Sequence, residues 1–248
     1  MINVLHLYYD LLNLYGENAN TRCIVHNLEL NNIKVKVDLK SINDKIDFNK
    51  YDIIYIGSGS EEDILIALED LKLRKQEIKK YIEDNKYLFL TGNSMDMFGK
   101  YIDTINTKVD ALNIFDYYVE YLNEDVFHNA SRNRIVGEVR AKSKIISEEI
   151  IGFQNRCDLV INSKSPLFET NEKYSNDLKN NKEGFNYKNV YATHIIGPLF
   201  IRNPYLIDYF LYNICKLKKL KYKSLDKISI KAYEKHTSKL IDENDIKD

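Results

Sequence analysis

Few side chains in this sequence are suited to covalent or metal chemistry. Three cysteines, Cys23, Cys157 and Cys215, occur among 248 residues. They are too few and too scattered for a disulfide framework, and they lack the CxxC or Cys/His spacing of a zinc site, so neither a metal nor a cofactor is expected. Cys23 falls in the first helical pattern and Cys157 directly follows Gly152-Phe-Gln-Asn155. Neither stands on a sharp turn that would expose a thiol and lower its pKa, so both read as small core residues. Two glycine turns are chemically more suggestive. Gly57-Ser58-Gly59-Ser60 ends one apolar run, and Gly92-Asn93-Ser94 turns out of another into a short helix.

Strands and helices must position these turns. Asn3 to Tyr8 is an apolar, β-branched run, and Asn18 to Asn31 carries Ile24 and Leu28 at helical spacing. Ile33, Val35, Val37 and Leu39 alternate with polar residues, as in a strand wetted on one face near a sheet edge. Asp52 to Gly57 and Tyr87 to Leu90 are continuous apolar runs, each ending in a glycine turn and then a helical pattern. This alternation predicts an α/β fold: a mostly parallel central sheet flanked by helices on both faces, of flavodoxin-like type. From about Ala111 short strands follow, at Arg134 to Ala141, Glu149 to Phe153 and Leu159 to Ile161. Thr170 to Asn189 reads as a polar surface loop, Val190 to Ile196 as a buried strand, and Pro204 to Leu217 as a helix opening on proline. Residues 1–217 thus form one domain, and 218–248 a charged extension expected to fray.

The charge balance narrows the partners. A formal net charge of −1 supplies no field to draw nucleic acid or an anionic membrane. The lysine-rich stretches Lys72–Lys80 and Lys216–Lys223 are broken by apolar residues such as Leu217, Leu220 and Tyr222, the pattern of a solvated helix face. No apolar run approaches the roughly 18 residues of a membrane span, and the MINVLHLYY start lacks the features of a signal peptide. A cytoplasmic protein is expected.

Four groups of residues carry a family resemblance. Leu7-Tyr-Tyr-Asp-Leu-Leu-Asn-Leu-Tyr-Gly16 with Asn20 is similar to the opening of the glutaminase subunit of lipid II isoglutaminyl synthase, a class I glutamine amidotransferase of the CobB/CobQ-like type. Gly57-Ser-Gly-Ser-Glu61 stands where that family carries a triple glycine followed by Gln-Asp. Gly92-Asn-Ser-Met-Asp-Met-Phe-Gly99 resembles the nucleophile turn, which reads Cys-Gly-Gly-aromatic-Gln, two apolar residues and glycine. Gly152-Phe-Gln-Asn155, Thr193-His-Ile-Ile-Gly-Pro198 and Arg202-Asn-Pro204 resemble the family's GFEN, TYLHGP and KNP. The glutamine-hydrolysing domain of cobyric acid synthase shares the loop and turn, but the LNLYG opening favours the peptidoglycan type.

The resemblance implies a specific chemistry and its loss. Such enzymes attack the glutamine side-chain amide with a cysteine thiolate, shuttle the proton through histidine and hold the oxyanion with backbone N–H groups. Counting from the matching glycines puts Gly92 at the nucleophile position and Ile196 at the base position. Thr91 and Ser94 flank the turn as substitute hydroxyls, each far weaker than a thiolate. His194 is two residues from Ile196 and so on the same strand face. It either reaches the pocket or is a core histidine satisfied by a backbone carbonyl. Gly57, Ser58, Gly59, Asn93, Arg134, Gln154 and Asn155 are the implied ligand-binding residues, with Arg134 either holding the α-substituents of glutamine or facing solvent. Gln154 and Arg156 depart from the family's glutamate and histidine. The implied role is a non-catalytic subunit that binds a Mur-ligase-like partner or an amino-acid-like ligand such as glutamine. The alternative is an active amidotransferase that uses displaced residues to supply ammonia to a Mur-ligase-like or cobyrate-type synthetase.

Overall fold

A computed structural model of the chain describes residues 1–122, 134–223 and 226–244. Its first half runs β1 (Ile2–Leu7), α1 (Asn18–Leu30), β2 (Val35–Lys40), β3 (Ile53–Ile56), α2 (Glu61–Lys72), α3 (Lys75–Glu83) and β4 (Tyr87–Thr91). Short strands follow: β5 (Tyr101–Asp103), β6 (Lys108–Asp110), β7 (Tyr118–Tyr121), β8 (Ile135–Ser143), β9 (Ile150–Arg156), β10 (Asp158–Ile161), β11 (Phe168–Thr170) and β12 (Lys182–Glu183). The chain then returns through β13 (Phe185–Tyr187) and β14 (Val190–Thr193) to α4 (Leu199–Arg202), α5 (Pro204–Leu217) and α6 (Lys227–Asn244).

The main sheet has the order β13-β14-β4-β3-β1-β2, parallel except for β13. Counting only its parallel strands along the chain, this is the flavodoxin-like order 2-1-3-4-5. The apolar runs of β3 and β4 are continuous because both sheet faces are covered. Ile54, Ile56, Leu88 and Leu90 pack with α2 and α3, whereas Ile53, Tyr55, Tyr87 and Phe89 pack with α1 and α5. The alternating β2 is the edge strand, as its pattern predicts. Ser60 caps α2 through a reciprocal capping box with Asp63, and Pro204 opens α5 in its first turn.

Beyond the main sheet lie two four-stranded sheets, β10-β7-β5-β6 and β12-β11-β8-β9. Phe153 of β9 exchanges both backbone hydrogen bonds with Ile196. That contact requires Gly152, because a Cβ there would lie 2.2 Å from Ile195 Cγ2 and 2.9 Å from the Ile196 carbonyl oxygen.

Two expectations need correction. The polar stretch 170–189 is not all surface loop: it contains β12 and β13, and Glu183 is fully buried. The charged C-terminal stretch forms α6, because its tyrosine gives it an anchor. The Tyr233 hydroxyl donates to the Glu149 carbonyl at 2.8 Å, and its ring meets Tyr205 edge-on. No helix among the described residues is long and apolar enough to cross a membrane.

Candidate functional site

In an open parallel sheet, ligand sites form beyond the carboxyl ends of the strands, where the loops gather. The register Ile56↔Leu90 and Thr193↔Thr91 brings Gly57, Gly92 and His194 off neighbouring strand ends. Gly92 opens a 3₁₀ turn, Gly92–Phe98, at φ +63°. This left-handed conformation is the strained strand-to-helix geometry that a nucleophile turn needs. Only the side chain is missing. A Cβ built on Gly92 would lie 2.3 Å from Ser58 Oγ, 2.5 Å from Ser58 Cβ and 3.4 Å from Ile196 Cγ2. Gly92, Ile196 and the glycine loop are therefore neighbours, and Ser58 fills the space a nucleophile would take. All are buried.

Two donors of the glycine loop are engaged by Asn93. Asn93 Oδ1 accepts from Ser58 Oγ at 3.0 Å and from the Gly59 N–H at 3.1 Å, while Asn93 Nδ2 donates to the Gly59 carbonyl at 2.8 Å. Of the groups this loop was expected to offer a ligand, the Gly59 N–H and the Ser58 hydroxyl are taken by the chain's own amide. Neither substitute hydroxyl is free to attack. Ser94 Oγ donates to the Ile56 and Thr91 carbonyls. Thr91 Oγ1 donates to Glu17 Oε2, which also accepts from the Tyr55 hydroxyl at 2.6 Å. Burial pushes the Glu17 carboxyl up, against the pull of those two hydroxyls.

His194 lies in a different environment from either reading of its sequence context. Its partners are carboxylates rather than a backbone carbonyl. Nε2 is 2.7 Å from Asp158 Oδ2 and 3.9 Å from Asp96 Oδ1, and Nδ1 is 3.6 Å from Glu183 Oε1. None of these approaches has hydrogen-bond alignment, and both Asp96 oxygens also lack a hydrogen-bond partner. Burial alone would lower the His194 pKa, but Asp158 outweighs it and raises the imidazole to about 10. Burial, then the neighbouring Asp158 charge, raises the Asp96 carboxyl to about 7. Asp158 resists burial because His194 and Arg156 hold it down, to about 2. The neighbouring Asp158 carboxylate thus favours the cationic form of His194.

Arg134 and Asn155 come together at the rim, where the partly exposed Arg134 is already engaged. It donates to Glu61 Oε1 and Asn155 Oδ1, each at 2.6 Å, and to the Asn155 carbonyl at 3.1 Å. Cys157 Sγ donates to the same Glu61 oxygen at 3.1 Å, and burial, then Asp158, raises its thiol pKa. It is no thiolate. Gln154 is buried and spent within the sheet region, donating to the Tyr174 carbonyl and accepting from Arg156 Nε.

Sequence reasoning missed Glu17, Asp96, Asp158 and Glu183, and named Glu61 only as part of the glycine-loop motif. Asp96, a lone acid in the apolar run Ser94-Met-Asp-Met-Phe98, carries the clearest signal, since burying one charge calls for a partner. Glu183 lies in a polar stretch that gives no such signal.

Residues 3–204 match the family model described as the CobB/CobQ-like glutamine amidotransferase domain. Subunit GatD of the glutamine-hydrolyzing lipid II isoglutaminyl synthase from Streptococcus pneumoniae is 28% identical over 205 residues, 82% of this chain and 76% of that protein. The GatD subunit from Staphylococcus aureus is 29% identical over 218 residues, 88% of this chain and 86% of that one. A glutamine amidotransferase crystal structure from Thermotoga maritima superimposes at a TM-score of 0.49 and 11% identity, over 94% of this chain and 92% of the other. With the strand order, the left-handed turn and the facing glycine loop, the match over residues 3–204 identifies the chain as a member of the CobB/CobQ-like glutamine amidotransferase family.

Proposed function

We propose that this protein is a non-catalytic amidotransferase-like subunit of the lipid II isoglutaminyl synthase type, acting in the cytoplasm through a Mur-ligase-like partner rather than by hydrolysing glutamine. The similarity to two GatD subunits supports the type. The observation that carries the loss of catalysis is the nucleophile turn itself: Gly92 keeps φ +63° with no side chain, and Ser58 and Ile196 fill the space in front of it. Removing the nucleophile or base of a comparable triad lowers the rate roughly a millionfold, about 8 kcal/mol of barrier. A ligand role at the same cleft receives less support, because Glu61 already neutralises Arg134 and Asn93 occupies the loop.

The test is ammonia and glutamate release from glutamine, by the protein alone and with a co-expressed Mur-ligase-like subunit. No release above background is expected, together with co-purification of that subunit. Gly92→Cys with Ile196→His and Ser58→Gly restores the missing groups and the room for them, and is expected to raise hydrolysis. Turnover by the unmodified protein overturns the loss of catalysis, and failure to co-purify overturns the partner role.

A further inference from the structure

Next to the turn lies a set of donor atoms that the proposed role leaves unused. Asp96 comes from the 3₁₀ turn, Asp158 opens β10, and His194 follows β14. One ligand atom from each lies within 4.8 Å of the other two. The side chains are 0%, 2% and 0% exposed. Both oxygens of Asp96 and both ring nitrogens of His194 lack an aligned hydrogen bond among the described residues, although His194 Nε2 forms an ion pair with Asp158 at 2.7 Å. Buried polar atoms in native interiors are nearly always satisfied, and both Asp96 oxygens here have no aligned donor.

We propose that Asp96, Asp158 and His194 bind one divalent transition-metal ion, with zinc as the reference probe. One imidazole and two carboxylates suit borderline first-row cations, and three protein donors leave a fourth position for water. Glu183 supplies the outer partner such sites use. Its Oε1 lies 3.6 Å from His194 Nδ1, and its carboxylate is itself held by Thr193 Oγ1 and the His194 N–H, each at 2.8 Å. A carboxylate behind one ring nitrogen leaves the other, Nε2, for the metal.

Only a neutral imidazole ligates, so an ion that binds here displaces the proton that Asp158 favours on His194. Asp96 and Asp158 lie in the field of Arg156, whose guanidinium donates to the Asp158 and Ser175 carbonyls and to Gln154 and stands 3.5 Å from Asp158 Oδ2. The Tyr121 hydroxyl, also buried and unpartnered, is a neutral neighbour. The movement required is small. Tetrahedral bonds of about 2.0–2.2 Å place donors about 3.3 Å apart. His194 Nε2 is 2.7 Å from Asp158 and 3.9 Å from Asp96, so these two separations change by about 0.6 Å each, and the third closes from no more than 4.8 Å.

The test uses full-length protein purified without a metal-affinity step, stripped with chelator, and titrated with zinc and separately with cobalt(II). The expected result is one ion per chain, a melting temperature that rises with zinc concentration as mass action requires, and the visible ligand-field bands of four-coordinate cobalt. Asp96→Asn is expected to weaken zinc binding more than about tenfold, whereas His26→Ala, an exposed histidine, leaves it unchanged. Failure to bind, or binding that survives Asp96→Asn, overturns the proposal. Should Asp96→Asn not fold, the cobalt spectrum of the unmodified protein decides: octahedral, water-like bands overturn it. Neither readout depends on glutamine hydrolysis, so this test stands apart from the amidotransferase assay.

Discussion

If Ser58 occupies the place of a nucleophile's side chain, then restoring that side chain must be energetically coupled to Ser58. Gly92→Cys alone forces an L residue into φ +63°, which costs about 1–2 kcal/mol. It also drives a Cβ to 2.5 Å from Ser58 Cβ, an atom no rotamer change can move, at an overpacking cost of about 1–3 kcal/mol. The single variant should therefore lose about 2–5 kcal/mol. Ser58→Gly alone forfeits the hydroxyl's hydrogen bond to Asn93 and gains glycine's backbone entropy in the unfolded chain, together about 1–2 kcal/mol. In the double variant the collision is gone. It should be more stable than the sum of the two single losses by about 1–3 kcal/mol. Urea denaturation of the four proteins measures this cycle. Additivity within about 0.5 kcal/mol would refute the reasoning, since it would mean that the new side chain finds room without displacing Ser58.

Two further predictions rest on other buried polar groups. Burial lowers the His6 pKa to about 4, so between about 4 and 6.5 only the unfolded chain carries the proton; stability should fall as pH drops through that window by at most about 3 kcal/mol, and His6→Gln should flatten the difference in pH-resolved melting curves. Asn203→Ala removes one amide that accepts from the Ile151 N–H and donates to the Ile151 and Leu199 carbonyls, so chemical denaturation should show a loss of about 2–5 kcal/mol, and a loss below 1 kcal/mol would mean that water replaces it.

The parts of the fold that were legible in the sequence are those where burial writes a period. β3 and β4 read as continuous apolar runs because helices cover both faces, and β2 alternates because it lies at the edge. Gly92 and Ile196 could be counted back from Gly99, where a Cβ would meet Tyr117 at 2.9 Å, and from Gly197, where φ is +105°, and the two residues do lie as neighbours. The ionic cluster was not legible in the same way. Asp158 and Glu183 are far apart along the chain and meet His194 only through tertiary packing, and a charged residue carries no mark of its burial. The same holds for Arg134: the sequence can place it on a strand but cannot show that Glu61 has claimed its guanidinium.

The retained geometry of the turn also bears on why such a site persists without its nucleophile. In a working enzyme an L residue at this φ stores about 1–2 kcal/mol of strain, tolerated because it exposes the reacting atom. Glycine occupies the same conformation without that strain. The turn keeps its shape because neighbouring structure dictates it: β4 feeds it from a fully buried strand, Asn93 ties it to the glycine loop by three hydrogen bonds, and Ser94 ties it to the ends of β3 and β4. On the proposed reading, glycine in place of a thiol-bearing residue relaxes the backbone at position 92 while leaving the loop, the rim and the facing strand in place. Surfaces built from those elements can outlast the chemistry, and on this reasoning partner binding is the property of the fold least affected by the change at Gly92.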